Sequence, residues 1–338
     1  MALPLSELET ATRQHFMPII TNQIWNTSPI LYRIFRPSRE GQWGLALPAF
    51  DGRSIVEPLE YAEVTSTYGA YKTDTTWSMG TTEVMTGANF PWKMYYVGVK
   101  IHNVDVTANA GRERIFDMAA IKLQAAVKML RKALITDFYA NSDDTETTYG
   151  KMIGMRAICA ADKTVGGIAQ ASYAWWQGYT NTAGANRDLT WAILNAAFYN
   201  TKKYGEGDRP TIIACSEGVL QNYENVLSKV VVTGTSGVGY PNLYLSGQLG
   251  TKEIDGGFES FSFKRIPMVS DPYCTANSAF LLNEKYLHWR VLKNFDTTGW
   301  EQQRSQGKDW VQNVIFGYGA LTSSANRKQG YISALNEA

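Results

Sequence analysis

What this sequence has little of bounds what it can be. Its 338 residues include three cysteines, Cys159, Cys215 and Cys274, and three histidines, His15, His102 and His288. The cysteines are odd in number, far apart and set among apolar neighbours, which excludes a disulfide framework and reads as buried free thiols. The histidines lie in separate segments without ligand spacing to one another or to a cysteine, so neither a metal site nor a cofactor is expected. Charge is balanced: 32 Lys plus Arg face 31 Asp plus Glu, and a net charge of +1 gives no overall field to hold nucleic acid by counterion release. Two charge-free stretches, 164–186 and 230–250, are rich in Gly, Ser, Thr, Asn and Tyr, so neither reads as a membrane span. The opening MALPLSELETATR lacks the basic and apolar regions of a secretory signal, and a cytosolic, non-exported protein is the expectation.

What is present is an apolar share of 44%, enough for a sizeable core, with 19 Tyr and 10 Trp. Aromatics with a polar handle suit wet protein–protein contacts. Residues 111–141 organise the chain. Ala119, Leu123, Val127, Leu130, Leu134 and Phe138 recur at steps of three and four along one helix face, with Arg114, Lys122, Lys128 and Lys132 on the other. Thirty residues at ~1.5 Å each make a rod of roughly 45 Å, which needs something equally long to lie against.

Around this helix the chain changes character several times. Residues 6–24 open on the capping box Ser6–Glu9, and the apolar run beyond, interrupted by Pro18, Pro29 and Pro37, cannot fold alone; it reads either as a tail packed on its own domain or as an arm laid over a neighbour. Residues 43–91 are β-prone and turn-rich, with few core positions, and read as a long irregular hairpin with both faces wet. Residues 94–107 alternate as a half-buried strand, Val97, Val99 and Ile101 on one face, leading into the helix with Thr107 or Asn109 as N-cap.

After the helix, the Asp143, Asp144 and Glu146 break lacks calcium-loop spacing and reads as a solvated turn. Gly166-Gly167 marks a turn, followed by the aromatic patch of Tyr173, Trp175 and Trp176. Asp188 and Thr190 precede an amphipathic helix, a buried strand spans 211–215, and Ser216 caps a further helix. Strands are expected over 258–266, 279–283, 288–292 and 311–321, the last returning to pair near the first. The region from 230 to 244 reads as loop, and the final SSANRKQGYISALNEA as a short polar tail.

One constellation could carry catalysis. Ala214-Cys215-Ser216-Glu217-Gly218 lies at a strand-to-helix junction like a nucleophile elbow, and Asp271 and His288 follow in the order of an α/β-hydrolase triad. A Gly-rich oxyanion segment and a repeating strand–helix sheet are both missing, and any strand–Ser–helix junction yields an N-cap serine. Ser216, Asp271 and His288 are therefore rejected as catalytic residues, leaving a serine hydrolase using Ser216 as the alternative from another class. The glycines of 234–239 have no following Lys-Ser/Thr or helix and read as a flexible loop.

The succession of apolar arm, β-rich loop, strand, very long helix, α/β insertion and returning strand resembles the major capsid proteins of tailed bacteriophages with the Hong Kong 97 fold. TVGGIAQASYAWW, TIIACSEGVLQNYENVL and DPYC with AFLLNEKYLHWRV are similar to that family as well. The resemblance implies an α+β fold with an N-terminal arm at 1–44 and an extended β E-loop at 45–93. It further implies a peripheral domain from 94–153 and 298–338 carrying the spine helix 111–141, and an axial domain at 154–297. It implies a structural, non-enzymatic protein of the virion capsid, assembled in the cytoplasm of a bacterial host. Its copies would form the hexamers and pentamers of an icosahedral head around double-stranded DNA, held by confinement. Scaffold, portal and decoration proteins would be its other partners, and no membrane is involved. An encapsulin-like compartment is the alternative on the same fold. Relatives that cross-link an E-loop Lys to a neighbour's Asn suggest Lys72 and Asn326, but neither has a motif around it and both read as ordinary surface residues.

Overall fold

The computed structural model describes residues 28–30, 46–47, 52–63, 69–74, 76–77, 80–108, 118–143, 150–203, 207–232, 261–297, 301–302 and 309–337. In chain order the elements used below are β1 (Ala46–Leu47), β2 (Ser54–Glu60), β3 (Met85–Pro91), β4 (Lys93–His102), α1 (Asn103–Ala108), α2 (Met118–Tyr139) and α3 (Met155–Cys159). They continue with β5 (Thr164–Val165), β6 (Ile168–Ala169), β7 (Tyr179–Asn181), α4 (Trp191–Lys203), β8 (Ile212–Cys215), α5 (Glu217–Val232), β9 (Phe261–Phe263) and β10 (Ile266–Ser270). The last are β11 (Ala279–Leu282), β12 (Leu287–Thr297), β13 (Glu301–Gln302), β14 (Trp310–Ser323) and β15 (Gly330–Ile332). The described residues of 96–130 and 297–315 form one compact unit, and those of 27–95, 131–296 and 316–338 a second; β4, α2, β12 and β14 contribute to both.

In the second unit a six-stranded sheet has the order β7-β15-β11-β8-β10-β9. β10 runs parallel to β8 and β15 parallel to β7, while β11 is antiparallel to both of its neighbours. All four residues of β8 are buried, which explains its uninterrupted apolar run. Ile213, Cys215, Met268 and Leu281 form a core with Leu194 and Phe198 of α4 and Val219 and Tyr223 of α5. Phe280, in the opposite phase of β11, meets Tyr139 at the end of α2 (ring centroids 5.3 Å) and Tyr331 (4.9 Å). Elsewhere in this unit β1 lies parallel to β12, with Ala46 opposite Trp289, and β12 also pairs with β14.

In the first unit β13 is antiparallel to β14, with Glu301 opposite Gln312. β4 also pairs β14, and the Lys100 ammonium lies 4.2 Å from the Trp310 ring centroid. This is the expected return of the last long strand to the first.

Several expectations are corrected. β4 stops at His102, and Asn103–Ala108 is helical, so Thr107 is no N-cap: its hydroxyl donates to the Asn103 carbonyl (2.8 Å) within α1. Residues 111–117 lie outside the described residues, and the helix described within 111–141 is Met118–Tyr139; Leu130, Leu134 and Phe138 are buried as the periodicity requires. Of the strand expected over 258–266, residues 258–260 lie outside the described residues, and from Phe261 on there is a hairpin in which Lys264 (φ 49°) and Arg265 (φ 67°) form a two-residue turn. Residues 230–232 are helical, continuing α5. The tail read as short and polar contains β15, wholly buried inside the six-stranded sheet, and buried Leu335, which pairs with Arg187.

Candidate assembly surfaces

The β2–β3 hairpin falls in the stretch with the fewest expected core positions. Its register runs from Ser54 opposite Pro91 to Glu60 opposite Met85. A strand pair presents alternate residues to opposite faces. Ile55, Glu57 and Leu59 on β2, with Ala88 and Phe90 on β3, are buried. Val56 and Met85 stand exposed, so the hairpin base is wet on one side only, not on both.

Two contacts hold the buried side. Gly166, in the turn between β5 and β6, accepts the Asn89 N–H at 2.8 Å. It has φ +61°, and an added Cβ would lie 2.7 Å from the Ala88 Cβ and 3.0 Å from the Phe90 Cζ. Glycine there satisfies both the left-handed backbone and the close approach. The second contact is ionic: Glu57 Oε1 accepts from Arg290 Nη2 (2.8 Å) and Nε (3.3 Å) and from the Thr322 hydroxyl (3.0 Å). The two charged side chains are 11% and 16% exposed, so the pair is well shielded from water. Its one sequence signal is a charge standing in the apolar phase of Ile55-x-Glu57-x-Leu59.

The connection between β2 and β3 carries exposed aromatics. Tyr71 (68% exposed) and Trp77 (63%) meet edge to face at 5.6 Å, with little else covering them. Tyr61 stacks on Trp175 at 5.4 Å. Trp176 is buried and donates its indole N–H to the Val165 carbonyl at 2.9 Å, so the aromatic patch is divided between core and surface.

A second junction ties down the N-terminal segment. Buried Asp271 accepts from the hydroxyls of Ser28 and Tyr139 (the latter at 3.1 Å) and, through its other oxygen, from the Tyr273 N–H at 2.9 Å. Burial holds its carboxyl above the ordinary carboxylate value, the three donors opposing. Ser28 and Ile30 are themselves buried, so 28–30 packs on its own unit. Residues 1–27 of the arm lie outside the described residues.

The triad candidates do not converge. Ser216 stands directly before α5, and its carbonyl accepts the Leu220 N–H, but its hydroxyl donates to Glu337 Oε1 at 2.7 Å. Asp271 is engaged as above. His288 lies in β12, its Nδ1 has no hydrogen-bond partner, and desolvation and Arg290 push its imidazole below the ordinary value. Among the described residues no hydrogen bond joins any two of the three.

The three cysteines are free and buried, and burial pushes each thiol well up. His102 is exposed with its ring 6.1 Å from Trp310, while His15, Asp144, Glu146 and the glycines of 234–239 lie outside the described residues. Lys72 is exposed, whereas Asn326, read as a surface residue, is completely buried, with neither carboxamide atom bonded. Among the described residues no helix is long and apolar enough to cross a membrane.

Against this geometry the comparisons are decisive. The family model of the SU10 major capsid protein matches residues 103–335. The chain belongs to the SU10 major capsid protein family. It is a phage major capsid protein, a constituent of the virion capsid with a structural role. No curated protein sequence matches it.

Among solved structures, this capsid protein is similar to the chain in the cyanophage A-1(L) capsid asymmetric unit, with 16% identity over 98% of this chain and 99% of that one and a TM-score of 0.68. The capsid of Myoviridae phage XM1 matches at 10% identity over 95% and 97%, with a TM-score of 0.57. The holo-SrpI encapsulin complex from Synechococcus elongatus PCC 7942 matches at 8% identity over 99% and 97%, with a TM-score of 0.58. These likenesses establish the fold as the α+β, Hong Kong 97 type expected.

Proposed function

We propose that copies of this chain assemble into the hexamers and pentamers of an icosahedral phage head that encloses double-stranded DNA. In this reading 45–93 is the E-loop and 1–44 the arm, both laid across neighbours. The long helix within 111–141 is the spine of a peripheral domain built from 94–153 and 298–338, and 154–297 is the axial domain. The burial of β15 beside β7 and β11 favours grouping 324–337 with the axial part.

The observation that carries the proposal is the asymmetry of the β2–β3 hairpin. Its base is fixed by the Glu57–Arg290 pair and the Gly166 contact, while Tyr71 and Trp77 beyond it are left two-thirds exposed. A strand pair anchored on one side, with exposed aromatics in its connection, is suited to burying those aromatics on another subunit. The DNA inside is held by confinement; scaffold, portal and decoration proteins are the further partners, and assembly takes place in the cytoplasm of the bacterial host. The chain itself performs no catalysis.

The test is the particle formed by the purified full chain, sized by sedimentation and electron microscopy. Closed shells or capsomer rings are the expected result, and a compact monomer at high concentration refutes it. An encapsulin-like compartment is the second reading, favoured by the similarity to the encapsulin chain; protein cargo in place of DNA inside shells from the native source would select it. Labelling of Ser216 by a fluorophosphonate would revive the hydrolase alternative.

A further inference from the structure

His288 and Arg290 lie two residues apart in β12, in the phase opposite to the buried Leu287 and Trp289. Successive side chains of a strand alternate, so these two leave the same face, about 7 Å apart. Arg290 is the cation that holds Glu57, and with it the β2–β3 hairpin. The Thr322 hydroxyl reaches both residues: it donates to Glu57 Oε1 at 3.0 Å and lies 3.4 Å from the His288 carbonyl oxygen. His288 therefore borders on the contact that anchors the hairpin. Its imidazole is half-buried, and Nδ1 is buried with no hydrogen-bond partner.

In a neutral imidazole one ring nitrogen is a bare acceptor, whereas an imidazolium carries an N–H on both. Protonation would bury a charged donor at Nδ1 with nothing to accept from it, the costly way to desolvate a polar group. It would also set a second cation beside Arg290. Glu57, the acid facing the ring from β2, opposes this, but its Oε1 already accepts three hydrogen bonds. The strands flanking β12, β1 and β14, contain no charged residue. The electrostatic balance agrees with the geometry: desolvation first and Arg290 second hold the imidazole below 6.5, and Glu57 does not reverse the shift.

We infer that His288 is a proton-operated latch on the β2–β3 hairpin: neutral, it leaves the Glu57–Arg290 pair closed, and protonated, it loosens the hairpin from the rest of its unit. The closed state disfavours the proton, so a released hairpin, with His288 in water, binds it more readily. The hold is therefore complete above 6.5 and is lost as the pH falls from there through the lower value of the closed state. One unit below 6.5, a proton taken up only by the released form shifts the opening equilibrium by about tenfold. The latch is a property of the single subunit and stands apart from the assembly reading.

The experiment follows hydrogen exchange of the full chain at about pH 7.5 and about pH 5.5, each expressed as protection relative to the unstructured rate at that pH. In the wild type, protection across 54–60 and 85–91 is expected to fall about tenfold on acidification, and that of β8 less than about twofold. In His288→Gln, which takes up no proton there, the fall in the hairpin is expected to vanish. A wild-type hairpin equally protected at both values overturns the inference, and so does the same fall in His288→Gln. Should that variant not fold, an NMR titration of the wild-type imidazoles decides alone. His288 must then titrate below 6.5 and in step with the loss of hairpin protection; titration at or above 6.5 overturns the latch.

Discussion

Removing the Glu57 carboxylate should release the hairpin from the rest of its unit. In Glu57→Ala, Arg290 loses both of its bonds to Oε1 and Thr322 loses its 3.0 Å acceptor, while their surroundings stay largely dry. Breaking one side of a well-buried ion pair costs about 3–5 kcal/mol, chiefly because the partner is left charged and desolvated. With 11% and 16% of the two side chains still reached by water, the lower end, about 3 kcal/mol, is the expected loss. That is roughly two decades in the folding equilibrium constant. Chemical unfolding of unassembled subunits measures it, and a cycle with Arg290→Ala and the double variant isolates the pair. The double variant should be less damaged than the two single losses added together, by about 2 kcal/mol, because both single variants remove the same interaction. Hydrogen exchange should accelerate at 54–60 and 85–91 well before it does in β8. A single-variant loss under about 0.5 kcal/mol, or additive losses, would show that the pair behaves like a surface ion pair and refute the anchoring argument.

Three further perturbations test other parts of the reasoning. Gly166→Ala should cost about 2–3 kcal/mol, through strain at φ +61° and collision with Ala88 and Phe90, whereas Gly167→Ala, at φ +74° with nothing within 4 Å, should cost only about 1 kcal/mol; equal losses in thermal unfolding would remove the collision from the account. Burial raises the Asp271 carboxyl, so the folded state holds its proton more tightly than the unfolded chain does. Its contribution is fully present below the ordinary value of 3.8 and declines as pH rises through the folded value; stability curves of Asp271→Asn should lack that decline, and parallel curves would contradict it. Glu337 has the opposite sign, since the Asn277 N–H and the Ser216 hydroxyl lower its carboxyl. Glu337→Gln should cost less than about 1 kcal/mol at neutral pH, given its exposure, and the difference should shrink as pH falls below 4.5 through the folded value, as acid titration of both proteins would show.

Elements governed by local periodicity were legible in the sequence. The three-and-four spacing of Leu130, Leu134 and Phe138 marks the helix, the alternation of Val97, Val99 and Ile101 marks β4, and Gly166-Gly167 marks the turn between β5 and β6. Features set by distant parts of the chain were not. Glu57 and Arg290 are 233 residues apart, and nothing in either neighbourhood indicates the other. The turn at Lys264-Arg265 has none of the Gly or Asn that usually signal positive φ, because flanking strand pairs and the Lys264 contact with Asn195 hold the backbone there. In the hairpin, Pro58, Asn89 and Pro91 occupy the exposed phase and hide a buried phase of only a few residues.

β15 was the least legible element and has the largest consequence for how the molecule forms. Three residues long, it lies between β7 and β11 and not at the rim, with Gly330 opposite Tyr179 and Ile332 opposite Ala279. Until residues 330–332 have been made, β11 has an unpaired edge and β7 has no neighbour in this sheet. An open edge of buried, apolar strand is a template for pairing with another copy. The chain from Leu282 to Ile332 takes roughly 3–10 s to synthesise at ordinary rates, and throughout it the six-stranded sheet is incomplete. The contacts of β15 with β7 reach across about 150 residues, which makes them slow to form. Leu335 pairing with Arg187, and Glu337 held by Ser216 and Asn277, lie immediately beyond β15 and fasten it once it is in place. A subunit whose core closes through β15 presents its finished surfaces only when that strand is seated, so wrong association through the open sheet competes with assembly early, and correct association can begin only after closure.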